Sequence, residues 1–149
     1  MISVYTDGGC SGNPGPGGWA YVIIDGNAGD TAPPVENWGA ESSTTNNRME
    51  LQAVIAALEK VSAKTVPGTI TVYTDSQYVQ KGITEWIKEW KSRGWKTSAK
   101  KPVKNQDLWQ RLDALSAGLP ITWVWVKGHA GNKYNERCDH LTQKAIASL

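Results

Sequence analysis

The order in which the hydrophobic period changes along this chain constrains its fold more tightly than any other feature. Ile2 to Thr6 alternates as a strand and runs into Asp7, and Trp19 to Asp25 is a second apolar, β-branched run. A loop rich in Gly, Pro, Asp and Asn, Gly26 to Trp38, leads to a third strand that finishes over Glu41 to Thr44. From Asn47 the period lengthens. Leu51, Val54, Ile55, Leu58 and Val61 recur at helical spacing among good helix formers, until Pro67-Gly68 stops the run. Thr69 to Thr74 is a fourth strand, again closing on an aspartate, Asp75. Helical stretches follow over Ser76 to Lys81, Thr84 to Arg93 and Asp107 to Ser116, then a fifth strand at Ile121 to Val126 and a last helix from Asn135 to Leu149. The order βββαβαααβα specifies an α/β fold, one five-stranded mixed sheet with helices on both faces. The helical crossover lets strands one and four lie side by side and parallel, with Asp7 and Asp75 at neighbouring ends.

Residues 5–18 read YTDGGCSGNPGPGG, six of them glycine. A phosphate-cradling loop needs glycines at set spacings that open a helix, whose N-terminus receives the anion. Here no Lys-Ser/Thr follows, and the glycines lead into WAYVIID. Pro14 and Pro16 oppose a helix as well, so the stretch is read as strand, long turn, strand. With 149 residues and 40% hydrophobic content the chain fills one domain, 1–149, and would be cramped as two. It has no apolar run of the roughly 18 residues a membrane span requires, and no basic start followed by an apolar core. A cytoplasmic protein with no membrane partner is expected. Two distant cysteines, Cys10 and Cys138, with no Cys/His cluster, point to reduced thiols and away from zinc.

Four carboxylates have positions from which they can meet: Asp7 and Asp75 at strand ends, Glu50 in the first turn of the crossover helix and Asp139 in the first turn of the last helix. Sites in open α/β sheets gather beyond strand ends. Each carboxylate also has an ordinary structural reading. Asn47-x-x-Glu50 fits a capping box, Asp139 complements a helix dipole, and Asp7 and Asp75 can start turns. Two carboxylates about 4 Å apart repel by roughly 4 kcal/mol at an effective dielectric of 20, so a cluster needs protons or cations. All-oxygen ligands suit Mg²⁺ or Mn²⁺, and an ion pair so held can activate water against a phosphodiester. His129, in the glycine-flanked GHAGN, has an unperturbed pKa suited to proton transfer near neutrality, and as an isolated feature also reads as a solvent-exposed loop histidine. His140 reads as a surface residue.

Charge is unevenly spread. Residues 81–104 carry eight basic side chains against two acidic ones, a net +6 in a chain whose total is +2. Within that segment Trp86, Trp90 and Trp95 interleave with lysines and Arg93. Cations for phosphates and flat faces for bases or sugars are what a polynucleotide surface needs. Trp90 reads as a core residue; Trp86 and Trp95 are candidates for substrate contact. The segment, about 86–104, is expected to protrude from the domain.

Taken in order, YTDGGCSGNPGPGGWA, TTNNRMELQAV, TDSQYVQKGI, WKTSAKKPVKNQDLW, WVKGHAGN and NERCDHL resemble bacterial type I ribonuclease H over almost the whole chain. The resemblance implies a ribonuclease H-like fold and a monomeric endonuclease with no obligate protein partner. Its activity would be hydrolysis of the RNA strand of RNA/DNA hybrids with two Mg²⁺ ions, leaving 5′-phosphate and 3′-hydroxyl ends. Carried over by position, Asp7, Glu50, Asp75 and Asp139 resemble the metal-binding carboxylates, and His129 the mobile proton carrier that assists product release. Cys10, Asn13, Asn46 and Gln77 resemble residues facing the hybrid's minor groove, and Thr45 and Asn105 resemble residues near a DNA phosphate. Trp86 and Trp95 resemble the lining of the DNA-strand channel, with Lys96, Lys100 and Lys101 on the basic protrusion. A related-fold DNA strand-transferase or resolvase would share the carboxylates but not NNRMEL or the basic arm. A non-catalytic hybrid-binding protein would carry damaged carboxylates, and none is damaged here.

Overall fold

The computed structural model describes residues 2–26, 33–62, 69–126 and 133–149. Its strands are β1 (Ile2–Cys10), β2 (Gly15–Asp25), β3 (Val35–Thr44), β4 (Ile70–Thr74) and β5 (Ile121–Trp125). The helices are α1 (Asn46–Ser62), α2 (Gln77–Lys81), α3 (Ile87–Ser92), α4 (Gln106–Ala117) and α5 (Lys133–Ala147). The strands form one sheet in the order β3-β2-β1-β4-β5. β1 pairs antiparallel with β2 and parallel with β4, as the crossover argument requires.

Alternation on β1 sends Ile2 and Val4 to one face and Tyr5 to the other. The first face joins Leu51, Val54, Ile55 and Leu58 of α1 with Trp109 and Leu112 of α4 in the larger core. On the second face Tyr5, Ala20 and Val22 pack under Cys138 and Leu141 of α5. Helices therefore cover both faces. Cys138 is fully buried and its thiol donates to the Tyr5 carbonyl at 3.4 Å. Burial pushes its pKa up, which keeps it a neutral packing group, and both cysteines are free.

In two places the elements depart from the sequence reading by more than two residues. β3 starts at Val35, inside the stretch assigned to a loop; as an edge strand it is largely exposed, so its residues lack the apolar signal of a buried strand. The glycine stretch is mostly strand: Gly8, Gly9 and Cys10 pair with Trp19, Gly18 and Gly17, leaving only residues 11–14 as the turn. Between α2 and α3 the chain makes a π-helical turn over Gly82–Trp86. A Cβ at Gly82 would run into the buried Trp109 ring, so this helix approaches α4 closely only because residue 82 has no side chain.

Candidate active site

The site is assembled where β1 and β4 end. Their pairing runs from Ile2 with Ile70 to Tyr5 with Tyr73, which sets Asp7 and Asp75 level with each other two residues farther on. Behind them the Tyr5 and Tyr73 rings stack, with centroids 4.6 Å apart and planes 7° from parallel. Glu50 comes from α1. Thr45 caps that helix, its Oγ1 accepting from the Arg48 N–H at 3.3 Å, so the capping-box reading of Glu50 does not hold. Glu50 instead turns inward, and one carboxylate oxygen from each of Asp7, Glu50 and Asp75 lies within 4.8 Å of the others.

Gly8 makes this approach possible. A Cβ there would collide with the Met49 carbonyl carbon and lie 2.5 Å from the Glu50 nitrogen, both backbone atoms of α1. Gly8→Ala is therefore expected to push α1 off the strand end, costing about 2–3 kcal/mol and displacing Glu50. A thermal melt paired with a cleavage assay checks this; unchanged stability and activity would mean that α1 yields freely.

Burial pushes the Glu50 carboxyl well above the ordinary carboxylate range, and the charges of Asp7 and Asp75 push it further. The Ser76 hydroxyl and the Gly8 N–H, both hydrogen-bonded to Glu50, pull the other way. Ser76 also accepts from the Val79 N–H at 3.1 Å as the N-cap of α2. The sequence reading missed Ser76, although its place directly after Asp75 at a helix start was a usable signal. Three carboxylates in near-contact, two of them buried, form a donor set of hard oxygens that fits a divalent cation.

Asp139 forms no such group with these three. It is half-buried on α5, one residue beyond Cys138, on the helix that packs over β1. His129 lies outside the described residues. Asn13 and Asn46 are joined, the Asn46 N–H donating to Asn13 Oδ1 at 3.1 Å, and the Cys10 sulfur lies 3.3 Å from the Thr44 carbonyl oxygen. These contacts draw the 11–14 turn against the start of α1, while Gln77 is exposed at the start of α2. Trp86, Trp90 and Trp95 form one aromatic ladder with centroid spacings of 5.8 and 6.3 Å, half-buried against the core. Trp86 and Trp95 thus share the packing role read for Trp90. Beyond Trp95 the arm closes through a bridge between Lys96 and Pro102, leaving Lys96, Lys100 and Lys101 exposed. Arg93, Lys96, Thr97, Ser98 and Lys100 line an open concavity of about 350 Å³.

The family model described as RNase H matches residues 1–147. The chain belongs to the ribonuclease H family. Ribonuclease H of Treponema denticola is 55% identical to it, over 99% of this chain and 98% of its own length. That of Aromatoleum aromaticum is also 55% identical, over 100% and 92%. Among solved structures, LC9-RNase H1, a type 1 ribonuclease H with the type 2 active-site motif, superposes with a TM-score of 0.85 at 35% identity, covering 99% of this chain and 72% of that one. LC11-RNase H1, solved in complex with an RNA/DNA hybrid, gives 0.76 at 27% identity, covering 99% and 98%. The ribonuclease H-like fold and the endoribonuclease class expected from the sequence both hold. Among the described residues, no helix is long and apolar enough to cross a membrane.

Proposed function

We propose that this ribonuclease H cuts the RNA strand of RNA/DNA hybrids, as one domain over residues 1–149, working as a monomer in the cytoplasm. The convergence of Asp7, Glu50 and Asp75 at one end of the sheet carries this reading. These three side chains would hold Mg²⁺, or Mn²⁺, with Asp139 completing the set from α5. When bound, two such ions supply an activated water and stabilise the departing oxygen, which gives 5′-phosphate and 3′-hydroxyl ends.

The chain's own groups do the rest. Glu50 is held in place by Ser76 and Gly8, so its carboxylate meets substrate or cation without first reorganising. Cys10, Asn13, Asn46 and Gln77 supply polar groups to a wide minor groove, where a 2′-hydroxyl distinguishes RNA from DNA. Thr45 and Asn105 take a DNA-strand phosphate. Trp86, Trp95, Lys96, Lys100 and Lys101 extend the surface along the other strand, and His129 moves the proton that frees the product. The experiment presents end-labelled RNA/DNA hybrid, double-stranded RNA and double-stranded DNA in Mg²⁺. Cleavage confined to the RNA of the hybrid is expected. Cutting of double-stranded DNA, or equal cutting of both RNA-containing duplexes, would overturn the proposal.

A further inference from the structure

Asn105 stands at the N-cap of α4 in the left-handed region (φ 60°, ψ 30°), yet its side chain makes no capping hydrogen bond. An asparagine at a cap ordinarily accepts from the first turn. Here the side chain is engaged elsewhere, at both ends. Arg48, on α1 two residues before Glu50, donates from Nη1 to Asn105 Oδ1 at 3.2 Å. The same guanidinium grips Asp107 with a parallel pair of bonds at 3.1 and 2.9 Å. At the other end, Asn105 Nδ2 donates to the Tyr78 hydroxyl at 3.1 Å, which also accepts from the indole nitrogen of fully buried Trp109 at 2.9 Å.

We infer that Arg48 is a positioning residue that fixes which face of the Asn105 amide meets the substrate. With Oδ1 turned to the guanidinium and one Nδ2 hydrogen spent on Tyr78, the remaining Nδ2 hydrogen is the donor left to present on the side away from Arg48. Turning the amide over would set Nδ2 against Arg48, donor against donor. The amide is thus held with its open donor away from the guanidinium, which suits an acceptor such as a phosphate oxygen. This inference rests on the hybrid-nuclease reading above.

The test is a double-mutant cycle read by steady-state cleavage of RNA/DNA hybrid, with thermal melts for each variant. Asn105→Ala and Arg48→Ala are each expected to raise KM about tenfold with kcat within about twofold, as for loss of a hydrogen bond to a charged group. The double variant is expected to be no worse than Asn105→Ala, because Arg48 acts through Asn105. Arg48→Lys, which keeps one donor, restores part of the loss. Multiplicative effects in the double variant, or an unchanged KM in Arg48→Ala, would overturn the inference. If Arg48→Ala does not fold, Asp107→Asn in the same cycle decides between the same outcomes. A wild-type enzyme that leaves the hybrid intact would instead sink the underlying reading.

Discussion

Asp7→Asn is expected to lower the rate of hybrid cleavage by about three orders of magnitude or more while leaving hybrid affinity within a few fold. The substitution is nearly isosteric, so the packing beside Tyr5 and α5 survives and only the charge is lost. Asp7 is level with Asp75 and within reach of Glu50, so removing its charge takes a central ligand from the proposed cation site. Single-turnover cleavage and a binding titration on the same hybrid separate the two quantities. Residual activity within tenfold of wild type would place the chemistry elsewhere, and loss of folding by circular dichroism would assign Asp7 a structural role.

The same substitution is expected to make the metal-free protein more stable. Glu50 has its folded-state pKa raised by burial, by Asp7 and by Asp75. A carboxyl so raised binds its proton more tightly folded than unfolded. Its stabilising contribution is full below the unfolded value, near 4.5, and is lost as pH rises through the folded value. At neutral pH the cluster therefore strains the fold. Asp7→Asn relieves on the order of 1–3 kcal/mol of it, roughly 3–10 °C in melting temperature for a chain of this size. Glu36 and Asp107 act in the opposite sense. Hydrogen bonds from Arg137 and Arg48 lower their pKa values, so their contributions are lost as pH falls. Maximum stability without metal is expected in weak acid, between these two limits. Melts in chelator from pH 4 to 8 check it; an Asp7→Asn protein no more stable than wild type at pH 7 would mean that the carboxylates do not strain each other.

The architecture was legible because each buried strand carried its own signal and the β1–α1–β4 crossover brought two aspartate-ended strands together. What escaped was structure whose cause is not local. Val35 begins a strand only because β2 offers it an edge to pair with. The π-helical turn can lie close against α4 because Gly82 meets Trp109, 27 positions away in the chain. The link from Arg48 to Asn105 and Asp107 crosses 57 and 59 residues, and no short-range pattern announces it. Glu50 had two readings in the sequence, a member of the carboxylate cluster and a cap partner of Asn47, and the Thr45 cap and the glycine slot at Gly8 favour the cluster.

Metal removal tests the account most directly. The wild-type protein is given hybrid labelled on the RNA strand in Mg²⁺, in excess chelator, and in chelator followed by restored Mg²⁺. Cleavage that stops in chelator and returns with Mg²⁺ is predicted. Cleavage that persists in chelator would contradict the assignment of Asp7, Glu50 and Asp75 as a cation site.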